Sequence, residues 1–217
     1  NRTWSGIAGY VGRKSPEIAH PLNVLEDCGL LAKEPDAFRQ GKSTYRIVEP
    51  LITFYQAIMR PDWSRLELGE AAAVWRDQRA VFGSQVVGPH FESLCRDFAL
   101  RAAPATFGGS PGEVLSGVVN DPANRTQIEV DVVVFAPASA GRPRRILSLG
   151  EAKWGQVMGP SHVARLARAR DLLAVKGFDV AETALACYSG AGFADEVRAT
   201  ARDGEVALID VARLYTD

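Results

Sequence analysis

Two stretches decide how this chain is read: Ile128-Glu129-Val130-Asp131-Val132-Val133-Val134-Phe135 and Ile146-Leu147-Ser148-Leu149-Gly150-Glu151-Ala152-Lys153-Trp154. Both are rich in apolar residues and bounded by turn signals, the pattern of core strands. The Pro/Gly/Arg turn between them, Pro137–Arg144, is short enough for antiparallel pairing. Residues i and i+2 of a strand share a face, so Glu129 and Asp131 should project together, as should Glu151 and Lys153. Pairing then sets Asp131 beside Glu151, with Lys153 one step along. Charges are uncommon in core strands, and two carboxylates with a lysine are costly to bury uncompensated. A divalent cation compensates them: Mg²⁺ takes one or two carboxylates together with waters and phosphate oxygens. Such an ion activates water and stabilises in-line phosphoryl displacement, while a lysine positions the water or offsets phosphate charge. Asp131, Glu151 and Lys153 are therefore the candidate catalytic residues, and Mg²⁺ or Mn²⁺ the candidate cofactor. The plainer alternative is an exposed strand end, because a Glu-x-Lys triplet alone is common.

Around these strands the chain alternates. The spacing of Phe91, Leu94 and Phe98 predicts a helix over 82–101. The Gly/Pro/Ser-rich segment 104–122 reads as loop with a weak strand at 114–119. A helix over 161–176, a strand over 183–188, a helix over 193–202 and a strand over 206–209 complete an α/β architecture with a mixed central sheet flanked by helices.

The N-terminal part has a different order. A short helix over 4–12 precedes Ser15-Pro16-Glu17, a helix start with Ser as cap and Pro at the first position. Pro21 is unfavourable unless the helix begins or kinks there. Gly29 stops it. Strands over 30–34 and 44–48 flank a turn containing Gly41. Helix, turn, helix and hairpin is the order of a winged helix-turn-helix. The expected organisation is residues 1–60 as that module, 61–80 as a helical connector and 81–217 as the α/β domain. Arg13, Lys14, Lys42 and Arg46 lie in the helix–wing segment and are the candidate nucleic-acid contacts. The interspersed Glu17, Glu26, Asp27, Glu34 and Asp36 allow an ordinary charged surface instead.

Composition bounds the rest. The 217 residues are 47% hydrophobic and 24% charged with a net charge of −1, so any basic surface must be local. No apolar run reaches the roughly 20 residues of a membrane helix, and no signal peptide is evident. Cys28, Cys95 and Cys187 are isolated, which fits reduced thiols in a cytoplasmic protein. The sequons at Asn1 and Asn124 then count as chance. Only five lysines occur against many arginines, as in a GC-rich bacterial coding sequence. The first residue is not Met, which suggests a fragment or processed form. Gln40-Gly41-Lys42-Ser43-Thr44 imitates a phosphate-binding loop. Asp36 stands where that loop needs its first Gly, and a strand follows where it needs a helix, so no ATP site is expected. His20, His90 and His162 are scattered without zinc spacing. There is no Gly-x-Ser-x-Gly elbow.

Residues 82–217 resemble the PD-(D/E)xK nuclease superfamily, with Asp131 as the motif aspartate and Glu151-Ala152-Lys153 as the (D/E)xK element. The resemblance implies a restriction-endonuclease-like fold. It also implies that Glu92, in Gly88-Pro89-His90-Phe91-Glu92, is the helical acid that joins Asp131 and Glu151 as a metal ligand. More narrowly, the chain resembles the C-terminal region of a group of archaeal and bacterial AAA+-type ATPases, in which a winged helix precedes a nuclease-like domain. Ser43–Tyr55, Phe91-Glu92 and Gly150–Trp154 carry that likeness, which implies an upstream ATPase domain and a DNA partner. Val130 stands where the motif's Pro would be. Gln156 and His162 follow the motif without a firm role. The expectation is a metal-dependent DNA nuclease or nuclease-like module; the alternative is a catalytically inactive DNA- or protein-binding regulator of the ATPase.

Overall fold

The computed structural model describes residues 3–202 and 204–216; the Asn1 sequon lies outside them. The chain forms two compact units, Asn1–Asp36 with Gln40–His90, and Ala37–Arg39 with Phe91–Asp217.

In the first unit, α1 (Trp4–Val11) begins where the Thr3 hydroxyl accepts the Gly6 N–H, and it ends at Gly12 in the left-handed region. Ser15–Ile18 is a 3₁₀ turn leading into α2 (Ala19–Asp27). Ser15 does not cap this turn with its side chain; its carbonyl accepts the Trp4 indole N–H instead. Pro21 falls in the first turn of α2, where a missing N–H costs no helical bond. Strands β1 (Leu31–Pro35) and β2 (Ser43–Ile47) pair antiparallel, Leu31 opposite Ile47 and Pro35 opposite Ser43. Ala8, Ile18, Leu22 and Tyr45 bury a small core between these elements. Helix α3 (Pro50–Phe54) continues through a π turn at Tyr55–Met59. Next come α4 (Trp63–Glu67) and α5 (Ala71–Phe82), held together by Arg65, which bridges Asp62, Glu70 and Asp77. A second π turn, Gly83–Val87, joins α5 to α6 (Gly88–Arg101). The single helix expected over 82–101 is therefore interrupted: its first residues form the π turn, which shifts the phase, and α6 starts only at Gly88.

The second unit opens on the C-terminal part of α6 and α7 (Pro104–Phe107). Its five strands, among the described residues, form one mixed sheet in the order β3-β4-β5-β6-β7. They are β3 (Glu113–Asp121), β4 (Thr126–Phe135), β5 (Ile146–Lys153), β6 (Ala184–Ser189) and β7 (Val206–Asp210). The first three are antiparallel, and β5, β6 and β7 are parallel. Helices α8 (Pro160–Val175) and α9 (Asp195–Arg202) make the two crossovers. The supposed loop with a weak strand at 114–119 is a full nine-residue strand. Its Gly117 admits no side chain because a Cβ would meet the Phe38 ring at 2.6 Å. Ala37–Arg39, from the β1–β2 connection, belong with this unit: the Ala37 N–H donates to the Ser116 carbonyl, and Phe38 packs edge-on against Phe135 and Phe178.

Each face of the sheet has its own core. Val130, Val133, Leu149 and Cys187 pack with Leu166, Ala169 and Leu173 of α8. Val132, Val134, Ala152 and Tyr188 pack with Phe91, Cys95, Phe98 and Ala99 of α6. No helix among the described residues is long and apolar enough to cross a membrane.

Gly150 is fixed by packing across this second core. A Cβ there would lie 2.6 Å from Tyr188 Cε2 and 3.2 Å from Val132 Cβ, and Tyr188 is fully buried. Gly150→Ala is expected to lower stability by about 1–3 kcal/mol through overpacking. A urea midpoint equal to wild type would show that the tyrosine ring yields without cost.

Candidate functional site

The site is built where β4 and β5 part. Their ladder ends at the pair Val132–Gly150, so Glu151, Ala152 and Lys153 pair only with Cys187, Tyr188 and Ser189 of β6. On its other side β4 carries a bulge: Leu115 faces Val133 and Gly117 faces Val130, leaving Ser116 opposite both Asp131 and Val132. The bulge breaks the alternation of faces, since Val130 and Val133 share one core and Val132 the other. Asp131 is thereby aimed at β5. Its Oδ2 accepts the Ala152 N–H at 2.9 Å, the donor that a continued ladder would have used. The simple two-residue periodicity expected for Glu129 and Asp131 does not extend past this point.

Glu151 follows Leu149 on the α8 face and is only 1% exposed. Lys153, on the same face, sets its Nζ 3.3 Å from Glu151 Oε1 and 3.9 Å from Asp131 Oδ2. The three residues singled out in the sequence therefore converge, with the lysine spanning the two carboxylates. A fourth group joins them. Arg165, in the second turn of α8, donates from Nε to Glu151 Oε2 at 3.2 Å and from Nη2 to Oε1. This is the forked geometry that makes arginine–carboxylate pairs strong. Sequence analysis does not single out Arg165; the one signal for it is an acid in an apolar strand shortly before an Arg-rich helix.

Burial raises the pKa of the Asp131 carboxyl, against the lowering effects of the Ala152 N–H and of Lys153. Cys187, beside Glu151 on β6, is pushed up to about 12 by burial and by that carboxylate. Neither Cys187 nor Cys95, whose thiol burial also raises, suits a nucleophile.

The other expected residues lie elsewhere. Glu92 is half-buried on α6, and its charge and that of Asp131 both act on the Cys95 thiol. Among the described residues no three His, Cys, Asp or Glu side chains are arranged to hold a metal. Arg96 links its helix to the site by donating to the Asp131 carbonyl at 3.2 Å. His162 accepts the Gly159 N–H at 3.0 Å and caps α8, and Gln156 is exposed in the loop before it. Trp154 is 40% exposed next to Lys153, its ring against Phe91 at 5.5 Å and its indole over Gly190, where a Cβ would collide. In the first unit Arg13, Lys14 and Lys42 are exposed, while Arg46 is held by Glu34 at 2.7 Å. Arg13 is also within 3.7 Å of Glu17.

A second forked pair anchors the same helix. Arg168 Nε and Nη2 donate to the two oxygens of Asp121 at 2.9 and 2.8 Å, and Asn124 adds a further donor. Arg168 and Asn124 hold the Asp121 carboxyl well below the usual carboxylate range. A depressed folded value stabilises fully above the unfolded value of about 3.9, and the stabilisation is lost as pH falls through the folded value. Asp121→Asn should therefore flatten the acid limb of the Tm profile below about pH 4. An unchanged acid limb would remove Asp121 as its source.

The neutral counterpart of Asp131 behaves in the opposite way. Its buried charge is disfavoured, and an amide oxygen can still accept the Ala152 N–H. Asp131→Asn is expected to raise the urea midpoint at pH 7, because the disfavoured buried charge is removed while the acceptor is kept. Destabilisation in urea at pH 7 would contradict this account.

Compared with family models, with curated proteins and with solved structures, the chain matches none.

Proposed function

We propose that the second unit is a metal-dependent phosphodiesterase module of the PD-(D/E)xK type, acting on DNA, with a restriction-endonuclease-like sheet. The observation that carries the reading is the convergence of Asp131, Glu151 and Lys153 at the point where β4 leaves β5. Two carboxylates are the hard oxygen donors that Mg²⁺ or Mn²⁺ accepts, so the donor set fits such an ion. Asp131 and Glu151 would hold it, with Glu92 of α6 as the third acid. A bound ion would supply Lewis acidity and lower the pKa of a coordinated water. Lys153, 34% exposed on its side chain, would hold the attacking water or offset charge on the phosphate. Trp154 offers an exposed aromatic surface on which a base could stack.

The first unit is read as a winged helix, supported by the order α1, α2, β1 and β2 around one small core. Arg13, Lys14 and Lys42 remain the residues for phosphate contact there; Arg46, paired with Glu34, is better suited to holding the hairpin. An upstream AAA+-type ATPase domain belongs to the same proposal.

A second reading, a regulator without turnover, is favoured by one feature: Arg165 occupies both oxygens of Glu151. Cleavage of plasmid and single-stranded DNA with Mg²⁺ or Mn²⁺ separates the two. Wild type should exceed the Asp131→Ala/Lys153→Ala double variant by on the order of 10²-fold or more. Equal rates would leave the regulator.

A further inference from the structure

We infer that Arg165 is a latch that couples cation binding at Glu151 to occupation of the site by a phosphate group. The inference rests on the proposed metal site and goes beyond it. Four charged side chains meet here: Asp131 and Glu151 are balanced by Lys153 and Arg165. Without a ligand Lys153 and Arg165 compensate Glu151, which is how a carboxylate 1% exposed is tolerated. A divalent ion added to this cluster would bring two uncompensated positive charges to a buried position. It would also compete for the two oxygens of Glu151 that Arg165 already holds. Cation binding is therefore opposed while the latch is closed.

Arg165 can leave. Its side chain is 41% exposed, and it rises from α8 at a position followed by the buried Leu166, so the helix stays docked when the guanidinium swings. A phosphate diester or monoester in the site provides the fork with an equivalent partner, since guanidinium binds phosphate and carboxylate in the same bidentate way. Transfer of Arg165 to phosphate frees Glu151 for the ion, and the anion offsets the added charge. Each ligand then strengthens the other, and reciprocity requires the two effects to be equal. The cation would be held firmly only when a phosphate is present.

The test uses the full chain, with Mn²⁺ alone and Mn²⁺ in the presence of saturating thymidine 5′-monophosphate, a phosphate that a phosphodiesterase does not cleave. Calorimetry and Mn²⁺ electron paramagnetic resonance read the ion directly. Wild type should bind Mn²⁺ about tenfold more tightly with the nucleotide than without it, within the usual range of coupling. Arg165→Gln should bind Mn²⁺ without nucleotide about as tightly as wild type does with it, and the nucleotide should no longer matter. Arg165→Lys keeps the charge but loses the fork, and should fall between the two. It also serves if the glutamine variant does not fold. Equal Mn²⁺ affinity of wild type with and without nucleotide overturns the latch and leaves the metal site standing. Weaker Mn²⁺ binding by folded Arg165→Gln does the same. Absence of Mn²⁺ binding at millimolar ion in wild type and both variants overturns the latch together with the metal reading.

Discussion

The second unit depends on keeping one carboxylate, that of Glu151, inside the sheet–helix interface. A glutamate in that position would be expelled or neutralised if it stood alone. It is retained because α8 delivers a guanidinium to its two oxygens and β5 delivers an ammonium to one of them. Helix, strand and charge are thus solved together: α8 must lie where its apolar face covers the sheet and where Arg165 and Arg168 reach Glu151 and Asp121. Two forked pairs from one helix fix its position along the sheet as well as its rotation.

The parting of β4 from β5 is the second requirement. A continuous ladder would satisfy every N–H but would leave no room for chemistry between the strands. The bulge at Asp131 and Val132 turns β4, and the Asp131 carboxylate takes the Ala152 N–H that the departing strand abandons. One side chain therefore does two jobs, closing a backbone hydrogen bond and presenting an acid to the site. The cost is visible in the raised pKa of Asp131. Gly150 belongs to the same construction, because Tyr188 fills the space under the last paired residue of β5.

The first unit stands on more modest physics. Its core is small, its hairpin is steadied by the Arg46–Glu34 pair, and α4 and α5 are joined through Arg65. Ala37 and Phe38, which belong with the second unit, pack into that unit's own core.

Much of this was legible in the residues. The apolar runs of β4 and β5, the alternation of strands and helices after them, and the i, i+2 spacing of Glu151 and Lys153 follow from local pattern, because strand period and turn chemistry are properties of neighbours in sequence. The helix start expected at Ser15-Pro16 is instead a 3₁₀ turn, and α2 begins at Ala19, just before Pro21. Three things needed the tertiary structure. The strand at Glu113–Asp121 was hidden by Gly117 and by its polar residues; Gly117 is required there by the Phe38 ring, and Glu113 and Asp121 are paired with Arg144 and Arg168. The bulge that turns Asp131 toward β5 comes from the mismatch between two strands, which neither strand encodes alone. The pairing of Arg165 with Glu151 spans a loop and a helix, and its meaning depends on burial: the same two residues in water would form an ordinary surface pair worth little. Sequence determined which charges would be placed in the sheet; only the packed structure decided which of them would neutralise one another.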